Sequence, residues 1–521
     1  MGSPKLLLLA MDAADSHLVR RWAEEGYLPT IARMLGSGVV VPITTPPAVL
    51  ESAIWPTYLT GSTPANHGMF ATVKIKVGTY DLEEAMYADR LPYLPFWAHL
   101  SRGGKRVAAI DVPFARPMKR LSGIQVTNWG AHDSWAWERS SWPPQLINDL
   151  VQRFGDHPVG LCDAKNRTLD DYEDLRVRLL AGVQKKTALL RYCLELDDWD
   201  FFFGVFSESH CAGHQLWHFM DPGHPGYDPH APRVLQTAIR DVYQAIDEGL
   251  ATLLQGLLPE RHVLLMLSHG MGPWYDGSHL LDLVLERLGG GAAEGETRSL
   301  PAKDPDLARR ILWRLGHLLP TSLRQAVKSR LPSLIWRLWT WTHPDTLHAW
   351  QSRRAFAVPS HSMTGGIRIN LKGREPSGLV QPGQDYDALC QELTEALLAL
   401  ENADTGGRAV QWVARADTLY RGRHLREMPD LFVEWDHSAP IRKVCSPQIG
   451  MVSRSFHGHR TGEHWKNGLL VGLGPRFRSG EVRTEIHTQD LAPTILEFFG
   501  VQTPPSNEGK SVLSLLGEVL N

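Results

Sequence analysis

Apolar residues along this chain fall into short continuous runs, each closed by polar or turn-forming residues. Residues 6–11, Leu6-Leu7-Leu8-Leu9-Ala10-Met11, are all apolar and end at Asp12. A run of that length without alternation predicts a parallel strand covered on both faces. A helical pattern follows over 17–25, Gly26 stops it, and Pro29 stands where a second helix begins. Residues 36–43 read as a second strand, closed by the turn-prone Pro46-Pro47. Residues 201–206 and 262–267 repeat the character of the first run, and polar, histidine-bearing residues follow each at once.

This rhythm predicts an α/β fold. Ligands in open α/β sheets gather at the carboxyl ends of strands, which places Asp12, His210 and His269 in one crevice. The expected partition is core over 1–129, a helical insertion over 130–199, core over 200–274, a Trp-rich cap over 275–360, and the C-terminal part of the core over 361–521. Within the cap, residues 320–341 interleave Arg324, Lys328, Arg330 and Arg337 with Ile335, Trp336, Trp339 and Trp341. That pattern suits a packed lid helix, or a membrane surface or partner. Gly289 to Gly295 is the expected mobile loop, and Arg374-Glu375-Pro376 an expected structural turn.

Composition narrows the picture. The chain has 521 residues, enough for a deep site in one large domain with insertions. Its 54 basic and 57 acidic residues leave a net charge of −3, which gives no reason to expect a nucleic-acid polymer as partner. The first apolar run is too short for a signal segment or a transmembrane helix. Five cysteines, without CxxC spacing, argue against a disulfide framework and for the cytoplasm.

Five elements carry candidate chemistry. Asp12, directly after a strand, suits a metal ligand, against the plainer reading that Asp12 or Asp15 caps the next helix. The stretch Glu51-Ser52-Ala53-Ile54-Trp55 to Thr60-Gly61, then Pro64 and His67-Gly68, reads as a short helix. Ser52 at its start suits an N-cap or a nucleophile toward phosphorus. His210 and His214 are four residues apart, which brings both imidazoles to one side and suits zinc, against the plainer reading of two solvated histidines. Cys211 between them is expected buried and inert. Ser268-His269-Gly270 follows the third strand, and His457, His459 and His464 precede the apolar Gly468-Leu469-Leu470-Val471. Together the clusters offer nitrogen and oxygen ligands for one or two divalent ions, with zinc favoured and manganese or iron also compatible.

The order of these elements resembles the type I phosphodiesterase and nucleotide pyrophosphatase group of the alkaline phosphatase superfamily. The resemblance rests on strand-Asp, a nucleophile helix ending in TG..P..HG, a paired ligand motif, an SDHG-like turn and a late histidine. Gln489-Asp490-Leu491-Ala492-Pro493-Thr494 and Glu508-Gly509-Lys510 resemble the superfamily's closing stretch. It implies a doubly wound, mostly parallel α/β core with helical cap insertions, two metals in the typical member, and in-line attack by a metal-bound Thr or Ser. By the same resemblance Asp12 is a metal ligand, His214 and His464 belong to one metal site, and His269 to the other.

The chain departs from that pattern at three positions. His210 and Ser268 stand where the motif has aspartates, and Glu51 stands at the nucleophile position with Ser52 next to it. His210 can replace a carboxylate and form a three-histidine site with His214 and His464, able to activate a metal-bound hydroxide. Glu51 could ligate a second metal beside Asp12 and His269, or act as a general base. The expected function is metal-dependent hydrolysis of a small phosphodiester or related phosphate or sulfate ester, by Ser52 or the hydroxide. A catalytically silent metal- or ligand-binding relative, and a group transferase, are the alternatives.

Overall fold

The computed structural model describes residues 5–48, 51–84, 93–131, 139–160, 162, 167–257, 260–289, 350–359, 364–454 and 460–517. Trp336, Trp339, Trp341, the basic residues among them, Gly290 to Gly295, His457 and His459 lie outside the described residues.

Ten strands build the main sheet. In chain order they include β1 Leu6–Met11, β2 Val39–Thr44, β3 Val107–Ile110, β4 Gly123–Thr127, β5 Ser140–Trp142, β6 Phe201–Phe206 and β7 His262–Leu267. A hairpin follows of β8 Gly270–Pro273 and β9 Gly462–Trp465, and then β10 Asn467–Leu473 re-enters the sheet. From one edge the order is Gly480–Glu481, β2, β10, β7, β1, β6, β3, β4, β5. β7, β1, β6, β3 and β4 run parallel, while β10 and β5 are antiparallel to their neighbours. The sheet is therefore mostly parallel and covered on both faces, as the pattern of apolar runs predicted.

The two faces can be read residue by residue. Leu7, Leu9 and Met11 of β1 enter one apolar core with Phe202 and Phe206 of β6. Leu6, Leu8 and Ala10 enter the other with Phe201, Phe203 and Val205. Alternation within an all-apolar strand thus feeds two cores, the reason such strands show no polar face. Helices α1 Ser16–Glu24, α2 Pro29–Ser37, α3 Glu51–Thr60, α4 Leu169–Glu195, α5 Glu208–Met220 and α6 Ala238–Leu254 flank the sheet. α1, α4, α5 and α6 contribute to the first core, and α3 to the second.

The expected strand over 36–43 begins later than read, because α2 continues to Ser37. Gly38 ends it, and a Cβ there would lie 2.7 Å from the Gly472 carbonyl. Residues 361–521 divide between the main sheet and a separate antiparallel sheet of Ala355–Val358, Thr364–Ile369, Leu431–Trp435 and Val410–Arg415, on which Gln384–Leu398 packs. Arg374-Glu375-Pro376 lies in a turn, with the Arg374 and Glu375 amides donating to the Leu371 carbonyl at 3.2 and 3.0 Å, and Arg368, Arg374, Glu375 and Asp430 form buried ion pairs there. Among the described residues no helix is long and apolar enough to cross a membrane.

Candidate metal and active site

Strand register assembles the site. Met11 of β1 lies level with Phe206 of β6 and Leu267 of β7, so Asp12, Ser207 and Ser268 emerge side by side. The Asp12 amide donates to the Phe206 carbonyl at 2.9 Å, and the Ser268 amide to the Met11 carbonyl at 3.2 Å, extending the ladder one residue beyond the strands. The Ser209 hydroxyl donates to the Asp12 carbonyl at 2.6 Å and ties the start of α5 to the end of β1.

His210 and His214 share one face of α5, and His464 comes to them from β9. It does so because β8, leaving the end of β7, pairs with β9 so that Met271 faces His464. Close approach of helix and hairpin depends on two glycines: a Cβ on Gly213 would meet Met271 at 2.6 Å, and one on Gly462 would meet the Gly213 carbonyl at 2.3 Å. The ligating nitrogens of the three buried histidines all lie within 4.8 Å of one another. His214 Nδ1–H donates to the Gly462 carbonyl at 2.7 Å. A carbonyl only accepts, so in the neutral ring the lone pair sits on Nε2, 3.2 Å from His210 Nε2. An outer carbonyl that fixes the tautomer and leaves the inner nitrogen to ligate is the usual support of a metal-binding histidine. These residues fit a divalent cation, with the donor set of zinc.

The second set of expected ligands is arranged differently. Asp12 Oδ1 accepts from the Trp55 indole N–H at 2.8 Å and from the Ser268 hydroxyl at 3.1 Å. Ser268 Oγ in turn lies 3.0 Å from His269 Nδ1 and accepts from the Ala13 amide at 3.0 Å. His269 and Asp12 are thus bridged by a hydroxyl, at 4.0 Å between Nδ1 and Oδ1. An indole N–H is a donor and cannot ligate. Among the described residues the three histidines are the one group of three or more His, Cys, Asp or Glu side chains close enough to share an ion. The His269 ring stands 4.5 Å from that of His464, so the two sets adjoin.

Helix α3 completes the surroundings. Ser52 is buried and lies inside the first turn, with Glu51 the first helical residue, so it does not precede the helix as a cap would. It stands three positions before Trp55, a spacing that puts the two on one side of α3, and Trp55 reaches Asp12. The Glu51 side chain lies outside the described residues. Tyr58 donates to the Ser268 carbonyl at 2.5 Å. Burial first, and then the Asp12 charge, push its phenol well above the usual value, which keeps it a donor. Beneath them His67 accepts from the Met69 amide at 3.1 Å and faces Thr57 Oγ1 at 3.0 Å, while Thr57 donates to the Ala53 carbonyl at 2.7 Å. Burial, with a smaller contribution from His424, brings His67 down to about 3.

Asp12 is not a helix cap: Asp15 fills that role, accepting from the Leu18 amide at 2.7 Å. His210 and His214 are buried, not solvated, and Cys211 between them is fully buried. The sequence reading passed over Trp55, Tyr58, Ser209 and Glu463, whose carboxylate accepts from the His464 amide at 2.9 Å. Trp55 alone carried a local signal, its helical spacing from Ser52.

The family model described as type I phosphodiesterase / nucleotide pyrophosphatase matches residues 6–447. No curated protein sequence matches the chain. Among solved structures, phosphonoacetate hydrolase from Sinorhizobium meliloti 1021, in complex with phosphonoacetate, is similar in fold with a TM-score of 0.54 at 11% identity, covering 96% of each chain. Human ectonucleotide pyrophosphatase / phosphodiesterase 5 has a TM-score of 0.49 at 13% identity, covering 99% of this chain and 100% of its own.

Proposed function

Because the chain belongs to the type I phosphodiesterase / nucleotide pyrophosphatase family of hydrolytic enzymes, we propose that it hydrolyses a small phosphodiester or related phosphate or sulfate ester. In this reading His210, His214 and His464 hold a divalent cation, zinc ahead of manganese or iron. The observation that carries the reading is the convergence of three buried imidazoles with the His214 tautomer set from outside by Gly462. A bound divalent cation supplies Lewis acidity, drawing charge from an ester oxygen and making water acidic at neutral pH.

The chain's own residues do the rest. Three neutral ligands leave the cation's charge undiminished toward an anionic ester. Ser52 is the nucleophile of this reading, in the first turn of α3 where the helix dipole favours an anionic oxygen. Trp55 and Tyr58, locked onto Asp12 and Ser268, fix the face of α3 that carries it. The setting in this reading is the cytoplasm, expected from five cysteines without CxxC spacing.

Metal analysis and turnover of aryl phosphodiesters, monoesters and sulfates by the full chain test this. His214→Ala is expected to lose both metal and turnover. Ser52→Ala is expected to keep its metal and lose turnover on the order of a thousandfold. A metal-loaded wild type inert across the panel would instead identify a silent binding relative.

A further inference from the structure

The set around Asp12 is more than a metal site with a ligand missing, because its protons can be assigned. Ser268 has one hydroxyl proton and three polar neighbours: the Ala13 amide, Asp12 Oδ1 and His269 Nδ1. The amide can only donate and the ionised carboxylate can only accept. The hydroxyl proton therefore points at Asp12, since turning it to His269 would leave two oxygens 3.1 Å apart with no proton between them. The remaining lone pair of Ser268 then accepts from His269, which must carry a proton on Nδ1 and, as a neutral ring, has its lone pair on Nε2.

Resting on the three-histidine reading above, we propose that this chain uses one metal ion. Asp12 serves as a positioning residue, holding His269 through Ser268 as an Nδ1–H imidazole beside the metal-binding histidines. Three observations converge on this. Asp12 Oδ1 accepts from both the Trp55 indole and the Ser268 hydroxyl, and Ser268 stands between that carboxylate and His269. Asp12, Ser268 and His269 are at most 5% exposed, so water does not compete for their hydrogen bonds. Their geometry is set by the backbone itself, since β1 and β7 deliver Asp12 and Ser268 side by side in the parallel ladder. A carboxylate that orients a histidine from behind is the arrangement seen around metal sites, here relayed by a hydroxyl.

Zinc titration followed by mass-spectrometric metal analysis of the full chain tests the proposal, alongside 15N-detected spectra of histidine-labelled protein. One zinc per chain is expected in wild type and in Asp12→Asn, with His269 protonated at Nδ1 in wild type. Asp12→Asn and Ser268→Ala should shift the His269 tautomer balance and lower kcat roughly ten- to hundredfold with KM little changed. Two ions in wild type and one in Asp12→Asn would overturn the proposal and leave the three-histidine site standing. No zinc in wild type would overturn both. An Nε2–H tautomer in the wild-type spectrum overturns the positioning role whether or not any variant folds.

Discussion

Two buried polar regions adjoin on the crest of the same sheet, and they are built on opposite principles. At the ends of β3 and β4, Asp111 accepts from the Trp129 and Gly130 amides at 2.8 and 2.7 Å and pairs with the fully buried Lys186 of α4. Lys186 also lies over the Trp129 ring, and His157 sets its edge against that ring while bonding Glu208 at 2.8 Å. The buried lysine there has its aspartate within reach, and Glu208 has His157. At the ends of β1, β6 and β7, by contrast, three imidazoles converge on one another, and the nearest carboxylate, Glu463, lies 3.6 Å from His464 Nδ1 alone. α5 joins the regions: Glu208 at its start faces the ionic network, and His210 two residues later faces the histidines. Burial of titratable groups at strand ends is common to both. The kind of partner separates them: a matched lysine–aspartate pair marks the first as support, and imidazole nitrogens turned toward one another mark the second as a place for a cation.

Removing one partner from each region sharpens this contrast. Lys186→Met leaves Asp111 buried against an apolar neighbour and is expected to cost about 3–5 kcal/mol of stability, read by denaturant unfolding. The double variant with Asp111→Asn should recover most of that loss. His214→Ala, in metal-free protein, should cost far less in the same measurement, its effect being on metal content. Equal losses in the two variants would dissolve the distinction, because it would mean that the histidines, too, are held by matched charges.

How much of this was legible in the chain depended on range. The runs 201–206 and 262–267 became strands with those bounds, since an apolar run that short has few other uses in an α/β fold. The spacing of His210 and His214 is local and predicted their shared face. That His464 joins them follows from its pairing with Met271, which no local pattern encodes. Asp12 and Asp15 look alike in sequence, and their division of labour is decided by distant groups: the Trp55 indole reaches one, and the Tyr243 hydroxyl accepts from the amide of the other. Lys186 reads as an ordinary charge on a long helix, because its partner Asp111 lies 75 residues away.

His67 offers a smaller test of the same comparison, an imidazole in a matched setting with no metal role. Its nitrogens are engaged by Met69 and Thr57, and burial brings it to about 3. With the folded value below the unfolded value of about 6.5, the unfolded chain binds the extra proton as pH falls. Stability from this residue is complete above pH 6.5 and is lost on the way down to pH 3, by about 1.4 kcal/mol per pH unit. His67→Asn should flatten that part of the stability curve between pH 6 and 4. An unchanged slope would place the acid sensitivity elsewhere.

The smallest expected effect separates the two aspartates that follow β1. Asp15→Ala removes the oxygen that receives the Leu18 amide at the start of α1, a capping loss of about 1 kcal/mol. The Asp15 carboxyl is raised by burial, with its backbone hydrogen bonds acting in the opposite sense, so the cap works against some desolvation and the loss should fall at the low end. Metal content and turnover should be unchanged, because Asp15 faces α1 while Asp12 faces Ser268 and Trp55. Metal lost from Asp15→Ala would mean that the start of α1 and the histidine cluster are mechanically coupled. The boundary between support and site would then have to be drawn beyond α1.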